Sequence, residues 1–350
     1  MTNSSLRNAA IFALVSLLVF FSFWEYYLRA THNGLSYDDG PELWTQKRSE
    51  VYLPSDKATV FIGSSRHKYD IDIPTWESIT GERAIQLAFE GTSPMPALDD
   101  LASDSLFKGK LVIDVTEGLL FNTSPYNMER LTKSIAYRKK ITPAQRFGFE
   151  VNHLFESQLV FLDRDFYSLT AMIKRSGIIP PREGVMEEPM FPVEFGRVSF
   201  DRQDRMTDRF VKDTTLRNKV KNIWVFFSKM AMKEPPPSQK AIDSIFMVIK
   251  TDVDKINARG GRVLFVRSPS SGPYWGAEQH VFPREKLWNR ILAMTGSPGI
   301  HFTDYPSLAN FQCPEFSHLS PADAIVYTRN LLSVMDQQKV WAPSGKLASN

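Results

Sequence analysis

The sequence predicts an α/β protein: a parallel, doubly wound sheet with a largely helical insertion, preceded by one membrane-spanning helix. Three observations predict it. Short apolar runs bounded by Gly, Ser or Pro alternate with helix-compatible stretches over residues 58–122 and again over 260–336. Between about Ser124 and Lys240 that alternation stops, and aromatic and charged residues mix without a strand period. Residues 9–28 are apolar apart from Ser16, Ser22 and Glu25, close to the ~20 residues that cross a bilayer.

Along the chain, the apolar N-terminal segment comes first. Trp24, Tyr26 and Tyr27 resemble an interfacial aromatic belt. The bulky run Phe20-Phe21-Ser22-Phe23-Trp24 offers no small-residue cleavage site, which favours a retained anchor over a cleaved signal peptide. Arg7 and the amino terminus favour an inside N-terminus, although Arg29 on the other flank weakens the asymmetry. This predicts a single-pass membrane protein with its main domain extracytoplasmic. Residues 1–29 form the tip and anchor, and 30–55, with Asn33-Gly34 and Asp38-Asp39-Gly40-Pro41, read as a tether. Residues 56–345 form the α/β domain, with the insertion at about 124–240.

Thr59-Val60-Phe61-Ile62 predicts the first buried strand, Ala84 to Ala88 the second and Leu111 to Val115 the third. A helix is expected between Met95 and Phe107. The insertion contains the break Ile178-Ile179-Pro180-Pro181 and ends at Pro235-Pro236-Pro237. Regular structure then resumes with a helix over Gln239 to Ala258, a fourth strand over Arg262 to Val266 and a fifth over Gly299 to Phe302. The last helix has strong local signals. Ser320 suits the N-cap, Pro321 the first helical position, and Asp323 completes a capping-box-like pattern. Ile325, Thr328, Leu332 and Met335 then follow one face.

Composition narrows the function. The 350-residue chain has 42 Lys and Arg against 39 Asp and Glu, a net charge of only +3, and no dense Lys/Arg block that would point to nucleic acid. Arg138-Lys139-Lys140 is short and reads as a solvated face. The single cysteine, Cys313, excludes an intramolecular disulfide and a multi-thiolate metal site, and reads as a packing residue. His301, His318 and Glu315 form no tight ligand motif, so neither a metal nor a cofactor is expected.

Two segments carry the chemistry. Gly63-Ser64-Ser65-Arg66 follows the first strand, which would deliver a serine to the carboxyl edge of the sheet, where ligands collect. Ser65 is preferred to Ser64 because it would open the following segment, with its backbone N–H aimed at a developing oxyanion. Glu315-Phe316-Ser317-His318 places a carboxylate three residues before a histidine, just ahead of the capped last helix. It supplies a candidate base, His318, and its orienter, Glu315. The same spacing recurs in Glu150-Val151-Asn152-His153, which lies in the insertion and reads as a solvated helix face. Arg66 and Arg267 follow strands near the same edge and are candidates for holding an anionic substrate, with surface solvation or a structural ion pair as the competing readings. Ser268 to Pro273 reads as a rim loop, and Tyr274 and Trp275 as a sugar platform or ordinary packing.

In their order, these blocks resemble the SGNH (GDSL-like) hydrolase superfamily. They are closest in pattern to its membrane-anchored branch, in which Gly-Ser-Ser replaces Gly-Asp-Ser. That branch includes D-alanyl-transfer proteins of teichoic acid synthesis and polysaccharide O-acetylation proteins. The resemblance covers about residues 58–122 and 260–336, leaving the insertion outside it. It implies a three-layer parallel-sheet domain with Ser65 as nucleophile, Gly91 as an oxyanion donor, His318 as base and Glu315 in place of the usual aspartate. The third family block, Gly-x-Asn-Asp, is replaced here by Val115-Thr116-Glu117-Gly118, which leaves Asn122 as a displaced candidate for the second oxyanion donor. The implied function is a serine acyltransferase or esterase acting on cell-envelope polysaccharide. Its partners would be an acyl donor, an envelope glycan or polymer, and a membrane acyl-transfer protein. The alternative is a non-catalytic accessory that binds or positions such a polymer.

Overall fold

The computed structural model of the chain describes residues 3–31, 34–122, 124–180, 189–233 and 235–341; the expectations that fall on Asn33, Pro181 and residues 342–345 lie outside them. Five strands lie where the apolar runs place them: β1 (Ala58–Ile62), β2 (Arg83–Gln86), β3 (Lys110–Asp114), β6 (Arg262–Arg267) and β7 (Gly299–His301). All pair in parallel, in the order β2-β1-β3-β6-β7. A separate two-stranded antiparallel ribbon, β4 (Arg197–Val198) and β5 (Asp204–Arg205), belongs to the insertion.

The sheet is buried on both faces, which is why its strands read as continuous apolar runs rather than alternating ones. Val60, Ile62, Leu111, Ile113 and Phe265 point to one side, onto helices Met95–Ser103, Gln239–Ala258 and Trp288–Thr295. Their neighbours Phe61, Val112, Leu264 and Val266 point to the other, onto Ile73–Thr80 and Pro321–Gln337. Three layers result. The chain passes from β1 to β2 on one side and returns to β3 on the other, so strand order reverses between β1 and β3. The carboxyl ends of those two strands flank the crevice in which open α/β sheets bind ligands.

The N-terminal helix Asn3–Ala30 has a mean hydropathy of 2.0 over its most apolar window and is long and apolar enough to cross a membrane. The expected tether is a correction. Residues 34–39 have no regular secondary structure, but Pro41–Ser49 is a helix that packs Leu43 and Trp44 into the domain. Trp44 Nε1 donates to Leu87 O at 3.1 Å, and Arg48, fully buried, pairs with Asp100 at 2.7 Å and Asp104 at 2.8 Å. The Asp-Asp-Gly-Pro turn signal marks a helix start, with Pro41 at its first turn, rather than a linker.

The insertion is mostly helical, with its longest helices at Tyr126–Lys140, Pro143–Glu156 and Thr214–Ala231. It has a small core of its own, Phe195, Met206, Phe210 and Val220, which packs on Tyr69 of the short helix that follows β1. Lys68 of that helix is buried between Asp39 at 2.6 Å, Asp204 at 3.0 Å and Glu90. The insertion therefore seats on the serine helix rather than hanging from the far side of the domain.

Candidate active site

β1 ends in Gly63, where a side chain cannot be accommodated: an added Cβ would lie 2.3 Å from Asp114 Cβ at the end of β3. That close approach fixes the next residue. Ser64 donates both its backbone N–H, at 3.1 Å, and its hydroxyl, at 2.6 Å, to Asp114 Oδ2. Thr116 Oγ1 donates to the same oxygen at 2.8 Å. Ser64 is thereby locked, and it caps the helix Ser65–Asp70, accepting Arg66 N–H at 3.4 Å.

Ser65, the first residue of that helix, is half-buried, and its Oγ lies 2.7 Å from His318 Nε2. His318 Nδ1 lies 2.9 Å from Glu315 Oε1, which also accepts the His318 backbone N–H at 2.7 Å. With a carboxylate against Nδ1, the ring proton belongs there, leaving the Nε2 lone pair to accept the Ser65 hydroxyl. The histidine loop is tied to the serine helix, because Asp70 Oδ1 accepts Leu319 N–H at 2.9 Å. Burial drives the Asp70 carboxyl well above its ordinary range, against that hydrogen bond and Arg66. Ser320 caps the final helix, Pro321–Gln337, accepting Asp323 N–H at 3.2 Å.

Three aromatic rings enclose the imidazole. Tyr69 lies at 4.6 Å between centroids, and Phe195 and Trp224 each at 5.8 Å. Trp224, in the insertion helix Thr214–Ala231, also donates its indole N–H to Glu315 Oε2. Lys221, one turn earlier, stacks its ammonium 4.3 Å over the ring of Phe316. Phe316 itself adopts φ 83°, a left-handed conformation uncommon for a bulky residue and one that clusters at functional sites. A recess of about 350 Å³ opens beside this loop, lined by Arg217, Lys221, Ser271, Gln312, Phe316 and Ser320 among others. Neither Trp224 nor Phe195 was singled out from sequence. A tryptophan on an amphipathic helix reads as core, and nothing local to residues 191–231 connects it to a glutamate near the C-terminus.

Two expected substrate-binding residues lie elsewhere in the chemistry. Arg66 and Arg267 are 1% and 0% exposed, and both grip Glu278, at 2.5 Å and 2.6 Å. Arg267 also pairs with Glu117 at 3.3 Å and donates to Ser268 O at 2.6 Å. This is the structural ion pair; Nε and Nη1 of Arg66 have no hydrogen-bond partner among the described residues. Burial would raise the Glu278 carboxyl, but Arg267 and Arg66 hold it down at about 2. Trp275 packs edge-on against Phe302 at 4.9 Å, in keeping with packing rather than a platform. Tyr274 is half-buried, with Arg66 5.9 Å from its ring centre. Ser271 to Pro273, expected in the rim loop, run into the start of helix Gly272–Val281.

Gly91 sits in the loop after β2 with φ 61°, a left-handed conformation that suits glycine. Asn122 turns its side-chain oxygen to Ser124 N–H, 2.8 Å away, in a local turn. Cys313 is buried, and burial pushes its thiol well above the ordinary range. His301 bonds Thr303 Oγ1 at 2.8 Å among Trp275, Trp288 and Phe302. In the other Glu-x-x-His segment, Glu150 is exposed, but His153 is not solvated as expected. Its ring stacks on Phe200 at 3.8 Å, because the helix turns that face toward the domain.

No protein-family model matches the chain, and no curated protein matches it. A hydroxyl, an imidazole and a buried carboxylate in hydrogen-bonded series, at the strand-order reversal, can support nucleophilic catalysis through a covalent intermediate.

Proposed function

We propose that this protein is a membrane-anchored serine acyltransferase or esterase of SGNH-like architecture that acts on a cell-envelope polysaccharide. The observation that carries the reading is the series Ser65 Oγ, His318 and Glu315, joined at 2.7 Å and 2.9 Å. In the proposed reaction, His318 Nε2 takes the hydroxyl proton as Ser65 Oγ bonds to the acyl carbon of the donor. Glu315 holds the imidazolium that forms. The negative charge developing on the acyl oxygen would be met by backbone N–H groups. Ser65 opens a helix, where the first N–H groups have no intrahelical acceptor. Gly91 is the second donor in this reading. His318 then returns the proton to the leaving group. A second cycle transfers the acyl group from Ser65 to a glycan hydroxyl or to water.

The N-terminal helix serves as a retained single-pass anchor, with the α/β domain outside the cytoplasm. Its polar end is bonded to the folded domain: Glu25 accepts Val160 N–H at 3.0 Å and Phe161 N–H at 3.2 Å, and Arg29 donates to Gln158 O at 2.6 Å. Contacts of this kind support a helix that stays with the protein. Transfer onto an envelope polymer fits an anchored enzyme with an extra helical layer beside its site better than free hydrolysis does.

The test is a fluorophosphonate probe, which reacts with activated serines. Labelling of the wild type that disappears in Ser65→Ala supports the reading. Wild-type protein that is folded and unlabelled contradicts it. The competing reading, a non-catalytic accessory that positions a polymer, is favoured by one observation: Val115-Thr116-Glu117-Gly118 stands where the resemblance calls for an asparagine donor. Removing an oxyanion donor costs about 2.7–4 kcal/mol of transition-state stabilisation. A specialised transferase tolerates that loss better than a fast hydrolase.

A further inference from the structure

The insertion presents an apolar face for which the domain supplies no cover. On helix Pro143–Glu156, residues Phe147, Val151, Leu154 and Phe155 recur at helical spacing, and all are exposed, Phe147 at 72%. The opposite face of the same helix carries His153, stacked on Phe200. The helix is therefore amphipathic in the inverse sense for a soluble protein. Its inward side docks with an aromatic stack, and its outward side is oily. The next long helical segment repeats the pattern. On Leu169–Ser176, Leu169 is 74% exposed and Met172 and Ile173 share its face.

The stretch between these two helices touches the N-terminal helix. Arg29 reaches Gln158 O, Glu25 takes the N–H groups of Val160 and Phe161, and Phe21 stacks on Phe161 at 5.2 Å. From Arg29 back to Phe21 is about 12 Å along a helix rising ~1.5 Å per residue. Residues 158–161 thus run down the side of the apolar helix, past its polar end. Interfacial helices lie with their apolar face about 5–10 Å below the headgroup boundary, so this depth suits them.

We propose that helices Pro143–Glu156 and Leu169–Ser176 lie in the membrane interface beside the anchor, seating the domain on the bilayer from which the anchor emerges. The occupant of the apolar face is lipid. Its continuity with the anchor argues for that, and so does charge. Lys139, Lys140, Arg146 and Lys174 are exposed next to these helices and match anionic headgroups. Seating also fixes the orientation of the site, since the insertion that contacts lipid also supplies Trp224 to Glu315. The proposal rests on the retained-anchor reading, and its test separates the two.

The full-length chain is placed in vesicles of phosphatidylcholine with one quarter phosphatidylglycerol. Single substitutions Phe147→Cys, Leu154→Cys and Ile173→Cys carry an environment-sensitive fluorophore. Leu106→Cys, exposed in the turn ahead of β3, is the aqueous control, and Leu17→Cys the control within the apolar helix. Unsubstituted protein sets the background, because Cys313 is buried. Seating predicts that the three insertion sites are quenched by nitroxide on upper acyl carbons and are about threefold or more less sensitive to aqueous iodide than Leu106→Cys. If they respond to iodide as Leu106→Cys does while Leu17→Cys is quenched by lipid, the seating is wrong and the anchor stands. If Leu17→Cys also behaves as aqueous, the anchor reading fails and the proposal falls with it.

Discussion

Trp224 donates its indole N–H to Glu315 Oε2 across 91 residues of chain, and so ties the helical insertion to the carboxylate that orients His318. Glu315 is fully buried, its Oε1 already engaged by the His318 ring and backbone. A buried carboxylate oxygen without its donor carries an unsatisfied-acceptor cost of about 1–3 kcal/mol.

Trp224→Phe should therefore slow serine labelling by about tenfold, the equivalent of ~1.4 kcal/mol, while the aromatic enclosure of His318 persists. Labelling kinetics at matched folded fractions, confirmed by circular dichroism, check this. An unchanged labelling rate would show that Glu315 needs no second donor.

The two adjacent serines should separate. Ser65→Ala should abolish labelling and leave thermal stability nearly unchanged, since the hydroxyl is half-buried and bonds only His318 among the described residues. Ser64→Ala removes a buried donor to Asp114 and a helix cap, and should lower the melting temperature while retaining part of the labelling. Labelling and melting curves on both variants decide it. The reverse pattern would make Ser64 the nucleophile.

His318→Ala should abolish labelling, and Glu315→Gln should be intermediate, because the imidazole keeps a hydrogen-bond partner but loses charge stabilisation. His153→Ala should retain labelling but lower stability, since its ring stacks on Phe200, away from the series Ser65, His318 and Glu315. Silencing by His153→Ala with labelling intact in His318→Ala would refute this assignment of the base.

Much of this was legible in the chain because it was local. Each of the five apolar runs overlaps a strand, offset by one or two residues at its ends, and the Ser320-Pro321 signal is a helix start, so the loop carrying His318 could be placed from sequence. Gly-Ser-Ser after β1 put a serine at the sheet edge for the same reason. What was not legible depends on tertiary partners. Arg66 and Arg267 look like edge residues in sequence, yet Glu278 draws both inward. Residues 41–52 carry turn and charge signals, but burial of Trp44 and pairing of Arg48 make them part of the domain. Trp224 joins the site only because the insertion folds back on Tyr69, a contact that no spacing encodes.

Stability should fall on the acid side in two steps. Burial, then Arg267 and Arg284, hold His301 down at about 3, against 6.5 when unfolded. The unfolded state thus takes the proton first, and the stabilisation is full above about pH 6.5 and is lost as pH falls toward 3. Glu278, at about 2 against 4.5, adds a loss from about pH 4.5 downward. Asp70, raised by burial, works in the opposite sense, favouring the fold at low pH and losing that contribution as pH rises. Between pH 7.5 and 5, His67, also held down by burial, adds to this decline, while Glu156, raised to about 7 by burial, opposes it. The His301 part is therefore read as a difference: in chemical denaturation His301→Asn should lose less stability than wild type as pH falls across this range, whatever it does to absolute stability. An equal slope in the variant would assign the decline to other groups.

The central claim is that Ser65 becomes covalently acylated. Incubating the purified full-length protein with activated acyl donors and measuring its intact mass tests this directly. The account predicts a mass increase of one acyl group, mapping to the peptide that contains Ser65, absent from Ser65→Ala and released by hydroxylamine. Folded wild-type protein whose mass is unchanged across short-chain and aminoacyl donors, or an adduct that persists in Ser65→Ala, would contradict it.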